Sequence, residues 1–390
     1  MHTQGAHVAR GRTSRWLVAA ASCALLFLPG LAFVAGARGE QIENRPPVEF
    51  SGFDEGWRSP FAFGQFLDDR LPLRERAVAA DAWMDEHVFS EDPAFGGNAT
   101  PRVIRGDDGV LFLADAFDAA CYPELQIPVV VSNLDRLATI IAESGRNIVT
   151  MVAPDKSSIH PELLPDGLSK RECFDVANEA LWSDLAAADI PGYFDLRAAL
   201  IDESAESREL LYLRKDSHWD QAGSLVAVQQ TVEQFAPGLW QDDEVVYRGL
   251  SEYTGDLTEF QGNPQVDQAP SYSVVRPDVR SVSVEQIDDQ PDGSNKRYIN
   301  EAPEGRLIPG RTVMFFDSFG MAALHQLVPF FEDITVVRLS DFEADRFASL
   351  IADADNVWFL SVERSLGNRL VAEIGSTAFL DQLEIVLRQP

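Results

Sequence analysis

The chain has 390 residues, is 45% apolar and carries 62 acidic against 32 basic side chains, a formal charge of −30. That is enough apolar material for a large core, and plentiful Phe and Trp without a recurring period argue against a disordered or repeat protein. So negative a surface repels polyanions, which argues against nucleic acid as a partner.

The first 38 residues hold four arginines (Arg10, Arg12, Arg15, Arg38) and no acid, leaving 62 acids against 28 bases, or −34, in the remainder. Residues 1–15 are polar and basic, and the run from Trp16 to Gly36 has no charge. Such a run suits a membrane-spanning helix at 16–37, although Pro29-Gly30 would bend it. Arginines ahead of it place residues 1–15 in the cytoplasm and the rest of the chain outside. Ala35-Gly36-Ala37 reads as a cleavage site, so a removed signal peptide is the alternative, but the run exceeds the usual apolar length of one. Either reading exports the domain.

Residues 38–60, rich in Pro, Gly and charge, read as a linker, and 61–390 as one large domain. A helical pattern covers 61–83. Its aromatic run (Trp57, Phe61, Phe63, Phe66) has the spacing of core packing. Residues 103–113 (VIRGDDGVLFL) form a hairpin candidate around an Asp-Gly turn. From there helices and strands alternate: helix 129–145, strand 147–154, helix 174–189, strand 190–196, a strand from 210 running into a loop, helix 220–235. Residues 240–308 have short, alternating apolar runs and read as a strand-rich insertion. Strand 311–319, a helix to Phe331, strand 333–339, a helix to Ala352, strand 356–362 and a terminal helix complete an α/β pattern. Such alternation predicts a mostly parallel sheet covered on both faces, with ligands beyond the carboxyl ends of its strands.

Cys121 and Cys173, 52 positions apart, are the only cysteines outside the apolar run. In an oxidising compartment they are a candidate disulfide, with two buried thiols as the alternative. Lacking His or Cys pairs at ligand spacing, the sequence predicts no metal site, and no motif calls for a cofactor.

Oxygen nucleophiles need a base, and the base needs orienting. Among His87, His160, His218 and His325, only His218 has a carboxylate beside it at an expected strand end, in Lys215-Asp216-Ser217-His218-Trp219. Alternate residues of an extended segment share a face, so Asp216 can hold one imidazole nitrogen and leave the other free. In Phe316-Asp317-Ser318-Phe319 an apolar strand delivers a serine to the first turn of a helix, where free N–H groups stabilise an oxyanion. Asp317 or Ser318 at such a point also suits ordinary capping. Asp155-Lys156 reads as a structural cap or pair.

The order D-S-H-W then D-S-F resembles the alginate O-acetyltransferase AlgX/AlgJ family, whose domain is similar to SGNH hydrolases. The resemblance extends to Phe66-Leu67-Asp68-Asp69-Arg70 with Arg74, to Gly106–Phe112, to Pro154-Asp155-Lys156 with Pro161-Glu162 and Leu164-Pro165, to Gly255-Asp256-Leu257 and to Glu363-Arg364. It covers roughly residues 44–367 and in layout is nearer AlgJ. Phe316 stands where the family usually has glycine. The resemblance implies an SGNH-like three-layer sandwich and transfer of acetyl groups to polysaccharide hydroxyls. Ser318 would be the nucleophile, His218 the base then acid, and Asp216 its orienter. It also implies Arg364 and Trp219 as substrate contacts, with a structural ion pair as the alternative for Arg364. The implied partners are a polysaccharide acceptor and a membrane-bound O-acyltransferase supplying acetyl. A carbohydrate esterase with the same triad and a non-catalytic component of an export complex are the other readings.

Overall fold

The computed structural model describes residues 102–288 and 294–388, with a few isolated positions before them. Outside the described residues, apart from those positions, lie the expected anchor at 16–37, the linker and the 61–83 pattern. Among the described residues no helix is long and apolar enough to cross a membrane. Residues 99–258 and 264–390 make one compact unit, and residues 1–98 with 259–263 make another.

The larger unit opens with a hairpin of β1 (Val103–Arg105) and β2 (Leu111–Leu113), Ile104 opposite Phe112. Asp108 and Gly109 turn it in the left-handed region, the conformation an Asp-Gly pair tolerates. Then follow α1 (Asp115–Cys121), α2 (Ile127–Glu143), β3 (Asn147–Ala153), α3 (Arg171–Ala187), β4 (Tyr193–Phe194), α4 (Leu196–Ser207) and α5 (Gln221–Phe235). Four strands come next: β5 (Val245–Thr254), β6 (Val266–Val274), β7 (Arg280–Gln286) and β8 (Lys296–Glu301). The chain closes with β9 (Ile308–Phe316), α6 (Ser318–Leu327), β10 (Phe331–Arg338), α7 (Ala344–Ala352), β11 (Asn356–Val362), a π-helical stretch Leu366–Ile374 and α8 (Thr377–Leu387). A disulfide joins Cys121 of α1 to Cys173 of α3, with Cα atoms 5.7 Å apart.

The main sheet has the order β4-β3-β11-β9-β10-β8-β7. Its first five strands are parallel, whereas β8 pairs antiparallel with both β10 and the edge strand β7. The sheet is therefore mixed rather than mostly parallel. β8 and β7, the two strands of these antiparallel pairings that lie beyond β10, come from the stretch read as an insertion, whose β5 and β6 stand apart as a two-stranded ribbon. The physical reason is exposure. Along β7 every residue is at least partly exposed, and antiparallel edge strands tolerate one wet face where buried parallel strands do not.

β9 and β11 are apolar on both faces because both faces are covered. On one side Val313, Phe315, Val357 and Phe359 pack against α2, α7 and α8. On the other, Met314, Phe316, Trp358 and Leu360 pack against α5 and α6. Helix, sheet and helix make three layers.

The expected strand from residue 210 is absent. Leu211 takes a left-handed backbone (φ 58°), and only a single bridge, Tyr212 to Trp219, survives. Asp216 and His218 thus sit in a loop leading into α5, not on a strand end.

Candidate active site

Three segments of very different sequence position meet at one end of the parallel strands. β9 ends at Phe316, and Asp317 caps α6: its Oδ1 accepts from the Phe319 N–H (3.0 Å). The same carboxylate reaches across to β11, where Oδ2 accepts from the Val362 N–H (2.6 Å). Burial pushes the Asp317 carboxyl up, against those two N–H bonds and the nearby Arg364 and His218 charges. Capping is thus done by Asp317. That leaves Ser318, partly exposed, as the first residue of α6.

The second segment is the loop before α5. His218 Nδ1 lies 2.7 Å from Asp216 Oδ1, which also accepts the His218 backbone N–H (2.9 Å). A carboxylate at Nδ1 assigns the proton there and leaves Nε2 as the basic nitrogen. Nε2 is buried and has no hydrogen-bond partner. The imidazole packs on the Phe319 ring, centroids 5.0 Å apart, so its neighbour in the chain is the residue after Ser318. Although burial opposes it, the bonds and charge of His218 hold Asp216 below the ordinary carboxylate range, helped by the Asp256 N–H.

Asp256, between the ribbon strands, supplies the third segment, and sequence reasoning did not name it as a site residue. Its N–H donates to Asp216 Oδ2 (3.0 Å), its Oδ1 accepts from the Ser217 N–H (2.7 Å), and its Oδ2 accepts from the Ser217 hydroxyl (2.6 Å). Oδ2 also stands 3.7 Å from His218 Nδ1. Burial, then the Asp216 charge, raises its carboxyl. The available signal was Gly255: a Cβ there would meet the Lys215 carbonyl oxygen at 2.0 Å, so only glycine lets Asp256 approach the loop. Asp216, His218 and Asp256 together offer the donor set of a cation site, their ligand atoms lying within 4.8 Å of one another. Most of those atoms are engaged with each other or with Ser217.

Trp219 is buried in the core. It is 1% exposed, its Nε1–H donates to the Phe319 carbonyl (3.0 Å), and its ring packs on Phe319. A large aromatic at that place fixes the start of α6 against α5. Arg364 is ion-paired with Asp155, and its backbone N–H donates to the same carboxylate (3.2 Å). Its guanidinium carbon lies 5.4 Å from the Phe319 ring centre. The structural ion pair is therefore present, its guanidinium near the ring of the residue that follows Ser318.

Residues 103–298 match the family model described as "SGNH hydrolase-like domain, acetyltransferase AlgX". That span holds Asp216, His218 and Asp256, and Ser318 lies beyond it. The probable alginate O-acetylase AlgJ of Pseudomonas syringae pv. tomato is 26% identical over 200 residues, 50% of this chain and 48% of that protein. Its namesake in Pseudomonas putida is 24% identical over 200 residues, 50% and 49% of the two. The chain spans about half the length of the curated relatives it matches. The solved O-acetyltransferase domain of Pseudomonas putida AlgJ is 20% identical, with a TM-score of 0.46 over 73% of this chain and 99% of that one. With its match running over half of the sequence and through the His218 loop, the chain belongs to the SGNH hydrolase-like AlgX acetyltransferase family.

Proposed function

We propose that this protein is an extracytoplasmic O-acetyltransferase that carries acetyl on Ser318 and passes it to hydroxyls of an exopolysaccharide. The observation that carries the reading is the His218 side chain. One nitrogen is fixed by Asp216, and the other is buried, without a partner, beside the residue that follows Ser318. Nε2 makes no hydrogen bond to Ser318 in this structure, but a buried basic nitrogen packed against the first turn of a helix that a serine opens is a starting arrangement for acyl transfer. The names of the relatives, alginate O-acetylases, support acetyl as the group moved.

Nε2 takes the Ser318 proton as Oγ attacks the acetyl carbonyl. The oxyanion is stabilised at the N-terminus of α6, and the imidazolium returns the proton to the leaving oxygen. A sugar hydroxyl then gives its proton to Nε2, attacks the acetyl-serine and leaves as the ester, with Ser318 regenerated. Asp216 keeps the imidazole in the tautomer both halves need.

The apolar run at 16–37 belongs to the same proposal, as an anchor that holds the domain outside the membrane near a membrane-bound O-acyltransferase. Tethering raises the effective concentration of such a donor. The test gives the purified protein a chromogenic acetyl ester and candidate oligosaccharides, alginate and neutral glycans among them, and follows sugar mass. Transfer adds about 42 Da per acetyl, and Ser318→Ala abolishes it by removing the nucleophile. Release of free acetate alone, with stripping of pre-acetylated glycans, would replace this reading with an esterase.

A further inference from the structure

Among the described residues one lysine is buried, and nothing in the acyl-transfer steps uses it. Lys156, 3% exposed, follows β3 by three residues. Its ammonium makes no ion pair among the described residues. Instead its three N–H groups donate to three backbone carbonyls: Leu111 of β2 (2.8 Å), Leu213 (2.6 Å) and Asp216 (2.6 Å). Three donors and three acceptors make a full complement, which no neutral side chain of that length reproduces.

Two of those carbonyls bracket one turn. The Asp216 N–H donates back to the Leu213 carbonyl (3.4 Å), so residues 213–216 form a turn pinned at both ends by the same ammonium. This turn aims the Asp216 carboxylate at His218. The third bond ties it to the hairpin, which also takes part directly, as the Leu111 N–H donates to the Arg214 carbonyl (2.8 Å). Burying a charge is costly, and a methionine would fill the same volume without that cost. Burial does pull the ammonium down, to about 7, while the Asp216 and Asp256 charges hold it up. A stability role alone gives no reason to retain such a group.

We propose that Lys156 is a positioning residue, whose ammonium fixes the 213–216 turn and through it the Asp216–His218 pair. It touches neither nucleophile nor base. The inference rests on the reading of Ser318 as nucleophile, so the experiment separates the two.

Full-length wild type, Lys156→Met, Lys156→Gln and Ser318→Ala are compared for covalent labelling by a fluorophosphonate, for hydrolysis of a small acetyl ester, and for the NMR signal of the His218 Nδ1 proton. Lys156→Met should keep KM while labelling and kcat fall about tenfold or more, the scale set by a catalytic group misplaced by an ångström. Lys156→Gln, with two N–H donors, should fall between. The Nδ1 proton signal should broaden or move in the same order. An unchanged signal and labelling rate in a folded Lys156→Met would overturn the proposal, and so would failure of both variants to fold, since Lys156 would then serve folding alone. If wild type and Ser318→Ala label alike, the nucleophile is wrong, yet the proton signal still decides whether Lys156 positions Asp216 and His218.

Discussion

Asp256 donates its backbone N–H to the outer oxygen of Asp216, 3.0 Å away, while the inner oxygen faces His218 at 2.7 Å. The Asp216 carboxylate is thus held from behind by a residue forty positions further along the chain. This two-sided grip explains why Asp216 stays ionised although it is largely buried, and it makes the pair sensitive to changes at Asp256.

Asp216→Asn should fold and yet lose about 10³–10⁴ in kcat. The amide would favour the imidazole tautomer with its proton on Nε2, which cannot accept from Ser318. Ester-hydrolysis kinetics and a thermal melt on the same sample check it. A loss below about tenfold with an unchanged melt would remove Asp216 from its role.

Asp256→Ala strips both acceptors from Ser217 but keeps the backbone N–H that holds Asp216. The Ser217 N–H and hydroxyl lose their partners, costing about 1–3 kcal/mol of stability. Activity should fall about 10–100-fold as the loop loosens. Asp256→Asn retains one acceptor for the Ser217 N–H and should sit between the two. Equal activity of the alanine variant and wild type would count against any part for Asp256 in holding the site.

Glu363 gives a pH signature in stability. Burial, and after it the Asp155 charge, raises its carboxyl from the ordinary 4.5 to about 7. Its oxygens accept from the Asp155 N–H (3.0 Å), the Ser158 hydroxyl (2.7 Å) and the Asn178 amide. An acid whose folded value is raised binds its proton more tightly when folded, so the protein loses stability as pH climbs from about 4.5 to 7. The loss attributable to this group is at most about 3 kcal/mol. Urea unfolding at pH 5 and pH 8 should show wild type losing stability relative to Glu363→Gln over that interval. A constant difference between the two proteins would show that Glu363 does not titrate there.

The Cys121–Cys173 bridge closes a 52-residue loop between α1 and α3. Chain entropy assigns such a loop about 4 kcal/mol. Cys121→Ser with Cys173→Ser should lower stability by an amount of that order, and reduction of wild type should bring it to the same midpoint. If reduction leaves the urea midpoint unmoved, the bridge contributes nothing to the folded state.

Local sequence determined the elements whose signal is burial on their own account. β3, β9 and β11 are continuous apolar runs because both faces of a central parallel strand are covered, and the helices from Gln221 and Ile127 show their periodicity directly. The D-x-H spacing also brings Asp216 and His218 within reach of each other, while the residues that hold the pair, Asp256 and Lys156, come from elsewhere in the chain. Partners across the chain were decided by the tertiary structure. Half-wet strands carry the same alternating pattern whether they join the main sheet or stand apart, so β7 and β8 could not be told from β5 and β6. Leu210 to Trp219 reads as a strand running into a loop. It folds as a loop with a single bridge, Tyr212 to Trp219, and with the carbonyls of Leu213 and Asp216 turned to the Lys156 ammonium. The resemblance implies Trp219 as a substrate contact, whereas in the fold its indole is buried against Phe319, a hundred residues later. Periodicity records whether a side chain is buried, and only the packed fold says against what.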